Sequence, residues 1–233
     1  MSHDLDVVFL SKATTPALRE MTQRAVQTCI LGAPDHYLNV VVIEQAPEVR
    51  YHGATTIHRP GEFNFNAFAN YGISLGNAKW VMVATNDLEF EQDWLQPLFA
   101  AGRPVVSPID PGANTQRDIT ENTCGWDKSR HFSGWCFMLR RDVWEDMGGF
   151  DDRVKFWCSD DAVLEQLKLL NVMEPMVVVA SRVHHRVSAT LMSEPNFDEL
   201  TWKQVYVFNQ LYGKRLGEDN ERYLAWKRRE GVT

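Results

Sequence analysis

Between Trp80 and Leu95 the chain reads WVMVATNDLEFEQDWL: apolar residues suited to a buried strand run straight into Thr85-Asn86-Asp87, with Glu89, Glu91 and Asp93 close behind. A carboxylate fixed where a core strand ends can hold a hard divalent cation. Mg²⁺ and Mn²⁺ typically take one or two protein oxygens and leave the rest of their shell to water and substrate phosphates, so this placement suits a diphosphate. The ordinary alternative is an Asn-Asp turn that caps the next element, and the local sequence leaves the two in balance. Glu44 closes another apolar run, NVVVIE, where a carboxylate can accept hydrogen bonds from a base or ribose, or simply be solvated. Gly134, in FSGWCF, stands where backbone could approach a ligand. Ser159-Asp160-Asp161 opens a helical pattern. Acidic residues there are stabilised by capping and by the helix dipole, yet two adjacent ones exceed what a cap needs. His184-His185 close the set of candidates; an unassigned histidine pair is more often structural than a ligand.

The elements that must carry these residues alternate. VVFLS (Val7–Ser11) reads as a strand. Thr15-Pro16 is a cap followed by a first-turn proline, and Leu18, Met21, Ala25 and Cys29 recur at helical spacing. Asn39–Glu44 and Ala54–Ile57 suit strands, Phe65–Leu75 a helix, and WVMVA and PVVSPI two further strands. Asp110–Arg130 is polar and reads as a long loop, a class that is usually functional or mobile. A strand in GWCFML, a helix opening near Arg141-Asp142, a turn at Gly148-Gly149, a helix over Asp160–Asn171 and a strand at MVVVA follow. Glu199–Tyr212, with Trp202, Val205, Tyr206 and Phe208, predicts an amphipathic helix packed back on the body. This alternation implies an α/β sandwich around a mainly parallel sheet, in which ligands gather at the carboxyl ends of the strands.

The 233 residues are 44% hydrophobic and 24% charged, an ordinary globular composition, and suggest one compact unit. Runs such as VMVA and MVVVA are about a quarter of the ~20 residues a bilayer span needs, so no membrane span is expected. The opening MSHDLDVVFLS is acidic, without the basic lead and long apolar core of a secretory signal. Cys29, Cys124, Cys136 and Cys158 show no CxxC pair and no zinc spacing, favouring reduced thiols and a cytoplasmic setting. A formal charge of −7 argues weakly against a protein that holds nucleic acid mainly by neutralising phosphates, without excluding a local basic groove. The basic clusters Lys214-Arg215 and Lys227-Arg228-Arg229 suit the solvated ends of a terminal helix.

Taken in order, the strand ending in Glu44, the segment NAFANYG (66–72), TNDLEF, SGWCFMLRRDVWEDMGGFDD, SDD and His184-His185 resemble an inverting, family-2-like glycosyltransferase of the GT-A fold. The likeness runs from about Val7 to Gly217 and includes YVFNQLYGKRLG, similar to the aromatic and basic segment that follows the histidine in such enzymes. The short opening segment is reminiscent of compact phage-encoded members, some of which decorate hydroxymethylated cytosine.

The resemblance implies a Rossmann-like nucleotide-binding half over 1–90, an acceptor and catalytic half over 91–190 and C-terminal helices over 191–233. It implies a Mn²⁺ or Mg²⁺ cofactor and a nucleoside-diphosphate sugar as donor, a uridine diphosphate sugar being the commonest choice. TND falls where the family keeps its DxD-type motif, which makes Asp87 the metal and diphosphate ligand, with Asn86 beside it; Thr85 replaces the first acidic residue and removes one negative charge. Glu44 would read the nucleotide, Ser11, Thr14 and Thr15 would line the base pocket, and Asn66, Asn70 and Gly134 belong to the donor site. Asp161 matches the catalytic base of the acidic pair, with Asp160 in the place of the usual Glu, and His184 or His185 matches the late histidine that completes the metal site. The acceptor could be a saccharide, a protein, a lipid-linked glycan or a modified DNA base. Two other classes compete. A sugar-nucleotide-forming nucleotidyltransferase would need a Gly-rich loop that LSKATTPALREM lacks, and a non-catalytic nucleotide or sugar binder is kept open by Thr85.

Overall fold

A computed structural model describes residues 3–186 and 199–232. Strand β1 (Leu5–Ser11) leads into helix α1 (Pro16–Leu31), whose start is set by the Thr15 hydroxyl accepting from the Leu18 amide at 3.3 Å and by Pro16 in the first turn, where a missing N–H costs nothing. Strands β2 (Leu38–Glu44) and β3 (Thr55–His58) precede α2 (Phe65–Ser74), which is capped by Asn64. Then come β4 (Trp80–Thr85), β5 (Leu88–Phe90), α3 (Leu95–Ala100) and β6 (Val105–Ile109). The polar stretch beyond holds the two-residue strand β7 (Thr123–Cys124). β8 (Cys136–Arg140), α4 (Arg141–Asp146), α5 (Ser159–Leu169) and β9 (Met176–His185) follow. A π-helical turn, Glu199–Lys203, opens the expected C-terminal helix, which continues as α6 (Gln204–Tyr212) and is followed by α7 (Glu221–Glu230). The first part of the expected C-terminal extension, 191–198, lies outside the described residues.

The sheet runs β3-β2-β1-β4-β8-β6-β9-β5, with β7 paired to β9. The pairs β1–β2, β1–β4, β2–β3 and β6–β9 are parallel, whereas β8 lies antiparallel between β4 and β6. The sequence pattern predicts no strand at Leu88–Phe90. One forms there because β9 runs past the expected MVVVA to His185 and offers an antiparallel partner. Alternation along β1 sends Leu5, Val7 and Phe9 to one face, against Ala25, Val26 and Cys29 of α1, and Val8 and Leu10 to the other, against Phe68, Ala69 and Ile73 of α2. Helices thus cover both faces, which is why the central strands read as unbroken apolar runs. A separate cluster of Val154, Ala162, Val205, Phe208, Tyr223 and Trp226 fastens the terminal helices to the body.

At the amino end of the sheet, buried Asp6 receives the Arg141 guanidinium at 2.6 Å, the Ala78 amide at 2.8 Å and the Asn39 side-chain amide at 2.7 Å. This network anchors the end of the sheet remote from the candidate residues. All four cysteines are free. Among the described residues no helix is long and apolar enough to cross a membrane.

Candidate active site

The parallel register sets Ser11 beside Glu44 and Leu10 beside Thr85, so the carboxyl ends of β1, β2 and β4 form one rim. A cleft of about 990 Å³ opens there, large enough for a nucleotide-sized ligand. Thr14, Asn86, Asp87, Gly134, Asp160 and His185 all line it.

Asp87 is buried at the end of β4, 5% exposed. The Thr85 hydroxyl donates to its Oδ1 at 2.6 Å, and His185 Nε2 lies 3.3 Å from its Oδ2. Burial alone would raise this carboxyl, but the hydrogen bond and charge of His185, with the Thr85 hydroxyl, outweigh it and hold the group below its ordinary value. The Trp135 ring stacks on the His185 imidazole at 5.3 Å between centroids and fixes its plane. His184 is elsewhere: its Nε2 meets Glu91 at 2.7 Å on the exposed surface. The cause is strand alternation, since successive residues of β9 must point to opposite faces. The acidic run divides the same way. Asp87 enters the cleft, while Glu89 pairs with Arg24 and Arg186 and Glu91 with His184 on the surface.

Asp87 and His185 fit a divalent cation. An oxygen and an imidazole nitrogen 3.3 Å apart on one cleft wall are close to the ~3 Å that separates neighbouring ligands of an octahedral ion with bonds near 2.1 Å. No group of three or more His, Cys, Asp or Glu side chains suited to a metal occurs among the described residues.

The acidic pair opens α5, and only Asp160 of the two lines the cleft. Asp160 packs against Gly134, where an added Cβ would collide with its carboxylate. That contact accounts for the glycine. Burial pushes Asp160 up, Lys128 pulls it down and the charge of Asp161 pushes it up again, with the net direction upward. Asp161 does not line the cleft; its Oδ2 takes Lys128 Nζ at 2.5 Å.

The remaining candidates brace the rim. Ser11 Oγ lies 3.1 Å from Thr22 Oγ1, and Asn86 Nδ2 donates to Thr22 at 2.9 Å and to Ser11 at 3.3 Å. Thr15 is the cap of α1. Glu44 is fully buried: Oε1 accepts from the Ala13 and Ala46 amides at 3.0 and 2.7 Å, and Oε2 from the Tyr51 hydroxyl at 2.7 Å. Its carboxylate shapes the loops that carry Ala46 and Thr14 into the cleft wall. Asn66 Nδ2 donates to the carbonyls of Asp151 and Ser159, and Asn70 joins Trp144 and Phe150, so both tie α2 to the chain around α5.

Lys128, Trp135 and Trp157 also line the cleft and were not singled out by the sequence. Lys128 falls within the expected polar loop, where its charge gives no sign of its partner. The flanking FSGWCF was the available signal for Trp135, since it places an aromatic beside a glycine at the rim.

No family model and no curated protein matches the sequence. A solved structure of GalNAc-T7 with UDP, GalNAc and Mn²⁺ is similar over 89% of this chain and 48% of that one, at a TM-score of 0.65 and 14% identity. The chain therefore spans about half the length of that protein. Together with the mixed, mainly parallel sheet covered by helices on both faces, this similarity gives the chain a GT-A-like fold.

Proposed function

We propose that the chain is a metal-dependent inverting glycosyltransferase of the family-2-like type, related to compact phage members, that moves a sugar from a nucleoside-diphosphate sugar to an acceptor hydroxyl. One observation carries the reading: Asp87, His185 and Asp160, the last at the start of α5, line one cleft at the carboxyl ends of the strands. The ligands present in the similar GalNAc-T7 structure, UDP and Mn²⁺, make a uridine diphosphate sugar the first donor to try.

Asp87 and His185 would hold the cation, which when bound would neutralise charge on the diphosphate leaving group. Asn86 and Thr14 contact the donor from the rim, and Trp135 keeps the His185 ring in its plane. A carboxylate of the Asp160/Asp161 pair accepts the proton of the acceptor hydroxyl as that oxygen attacks the anomeric carbon from the face opposite the diphosphate. A single displacement inverts the configuration, and general-base help of this kind is worth about 10²–10⁴-fold.

Incubating the protein with a uridine diphosphate α-hexose and Mn²⁺ and following the released sugar by NMR tests the reading. The β-anomer should appear first; initial release of the α-anomer contradicts inversion, and metal-dependent binding without turnover would mark a nucleotide binder. For the acceptor, a saccharide hydroxyl and a hydroxymethylated DNA base both suit the chemistry. Retention on a DNA column that modest salt abolishes supports the DNA base, and absence of retention at low salt removes it.

A further inference from the structure

The two aspartates at the start of α5 are adjacent in sequence but not equivalent in space. Asp161 is occupied: Lys128 Nζ sits 2.5 Å from its Oδ2. Asp160 lines the cleft with its side chain 23% exposed. Its Oδ1 accepts the Asp161 amide at 3.0 Å and lies 3.8 Å from Lys128 Nζ. Its Oδ2 packs toward Gly134.

Lys128 is held in place rather than trailing in solvent. It stands in a turn closed by the Arg130 and His131 amides on the Asp127 carbonyl and by the Ser129 amide on the Phe132 carbonyl at 2.8 Å. Thr115 donates to the Ser129 carbonyl at 2.7 Å, and Gln116 to the Arg130 carbonyl at 3.1 Å. Ser129 and Cys158, on the two sides of this ion pair, have φ of 63° and 67°. Left-handed backbone at residues other than glycine is uncommon, and it clusters where surrounding structure imposes a functional geometry.

We propose that Lys128 holds Asp161 as a fixed counter-charge, and that Asp160 is the carboxylate that takes the acceptor's proton. This rests on the transferase reading and deepens it. As the acceptor oxygen bonds to the anomeric carbon, its proton passes to the Asp160 carboxylate; the bond from that carbon to the diphosphate oxygen breaks, and its electron pair leaves on the nucleoside diphosphate. Burial and the charge of Asp161 raise the Asp160 carboxyl, which strengthens it as a proton acceptor, and the charge of Lys128 opposes them. Lys128 is then a positioning residue.

The test compares Asp160→Asn, Asp161→Asn, Lys128→Arg and Lys128→Met with the parent protein. Hydrolysis of UDP-glucose, UDP-N-acetylgalactosamine and GDP-mannose in Mn²⁺ is followed with water as acceptor, alongside the rise in melting temperature produced by the matching nucleoside diphosphate. Asp160→Asn should lose about 10²–10⁴-fold in kcat with its nucleotide-induced melting shift intact, whereas Asp161→Asn should lose less than Asp160→Asn. Lys128→Met should lower kcat at unchanged donor KM, and Lys128→Arg should restore most of it. A larger loss in Asp161→Asn than in Asp160→Asn overturns the assignment while leaving the transferase reading standing. A parent protein that hydrolyses none of the three donors overturns both. Asn keeps the shape of Asp, so the comparison between the two Asn variants decides the matter even if Lys128→Met does not fold.

Discussion

The Thr85 hydroxyl on one oxygen and His185 beside the other orient the Asp87 carboxylate. Asp87→Ala should therefore abolish the Mn²⁺-dependent part of nucleotide binding, measured as the nucleoside-diphosphate melting shift with and without EDTA. His185→Ala should weaken the same shift, and His184→Ala should leave it unchanged because His184 faces Glu91 at the surface. Gly134→Ala drives a methyl into Asp160; misplacing a reacting group by about 1 Å can cost on the order of 10²-fold, so donor hydrolysis should fall steeply while the nucleotide melting shift persists. The sequence makes Asp87 legible, because an apolar run that stops at TND leaves the carboxylate at a rim. The choice between the two histidines is not legible: it depends on the register of β9 against β5, a non-local pairing that sets which face each residue takes. Nor could the end of NVVVIE reveal that Glu44 is consumed by the Ala13 and Ala46 amides and Tyr51.

Besides the apolar cluster around Ala162, hydrogen bonds join the chain around α5 to the terminal helices. The Tyr212 hydroxyl at the end of α6 donates to Asp151 Oδ2 at 2.8 Å. Hydrogen bonds to a charged group are worth about 1.5–3 kcal/mol, and Tyr212→Phe should lower the unfolding free energy in urea by that amount. Burial pushes the Asp151 carboxyl up, but Arg153, Tyr212 and the Arg153 amide outweigh it and leave it below its ordinary value. A carboxyl lowered by folding stabilises the native state above its unfolded value, near 3.9, and loses that contribution as the pH falls through the folded value. The stability difference between parent and Asp151→Asn should thus be full above about pH 5 and shrink on acidification below pH 4; a difference that grows toward acid pH would reverse the sign. At the other end of the sheet, Arg141→Met strands the buried carboxylate of Asp6, and breaking such a pair costs about 3–5 kcal/mol, readable as a shift in the urea midpoint. Strand and helix periodicities made most of these elements legible. The polar stretch that carries Lys128 had no such period, since its shape comes from Gln116, Thr115 and bidentate Arg130–Asp118 contacts rather than from a buried face.

For the molecule as a whole, the alternation of short strands and helices was enough to predict a helix-covered parallel sheet, and the sheet gathers its carboxyl ends at one rim. What alternation could not supply is the antiparallel insertion of β8 between β4 and β6, which brings Trp135 beside the end of β4 through the Thr85 amide to Trp135 carbonyl bond at 2.9 Å. The cleft thus depends on both halves of the chain. In the proposed transferase this cleft would bind a nucleoside diphosphate only together with a divalent cation. A ligand that binds only the folded form at about 100 times its dissociation constant adds roughly 2.7 kcal/mol, or about 5–11 °C for a chain of this size. The most direct measurement is the melting temperature of the protein with uridine, guanosine, cytidine, adenosine and thymidine diphosphates, each in Mn²⁺ and in EDTA. At least one diphosphate should raise it by several degrees in Mn²⁺ and lose that effect in EDTA; no rise with any of them in Mn²⁺ would contradict the account.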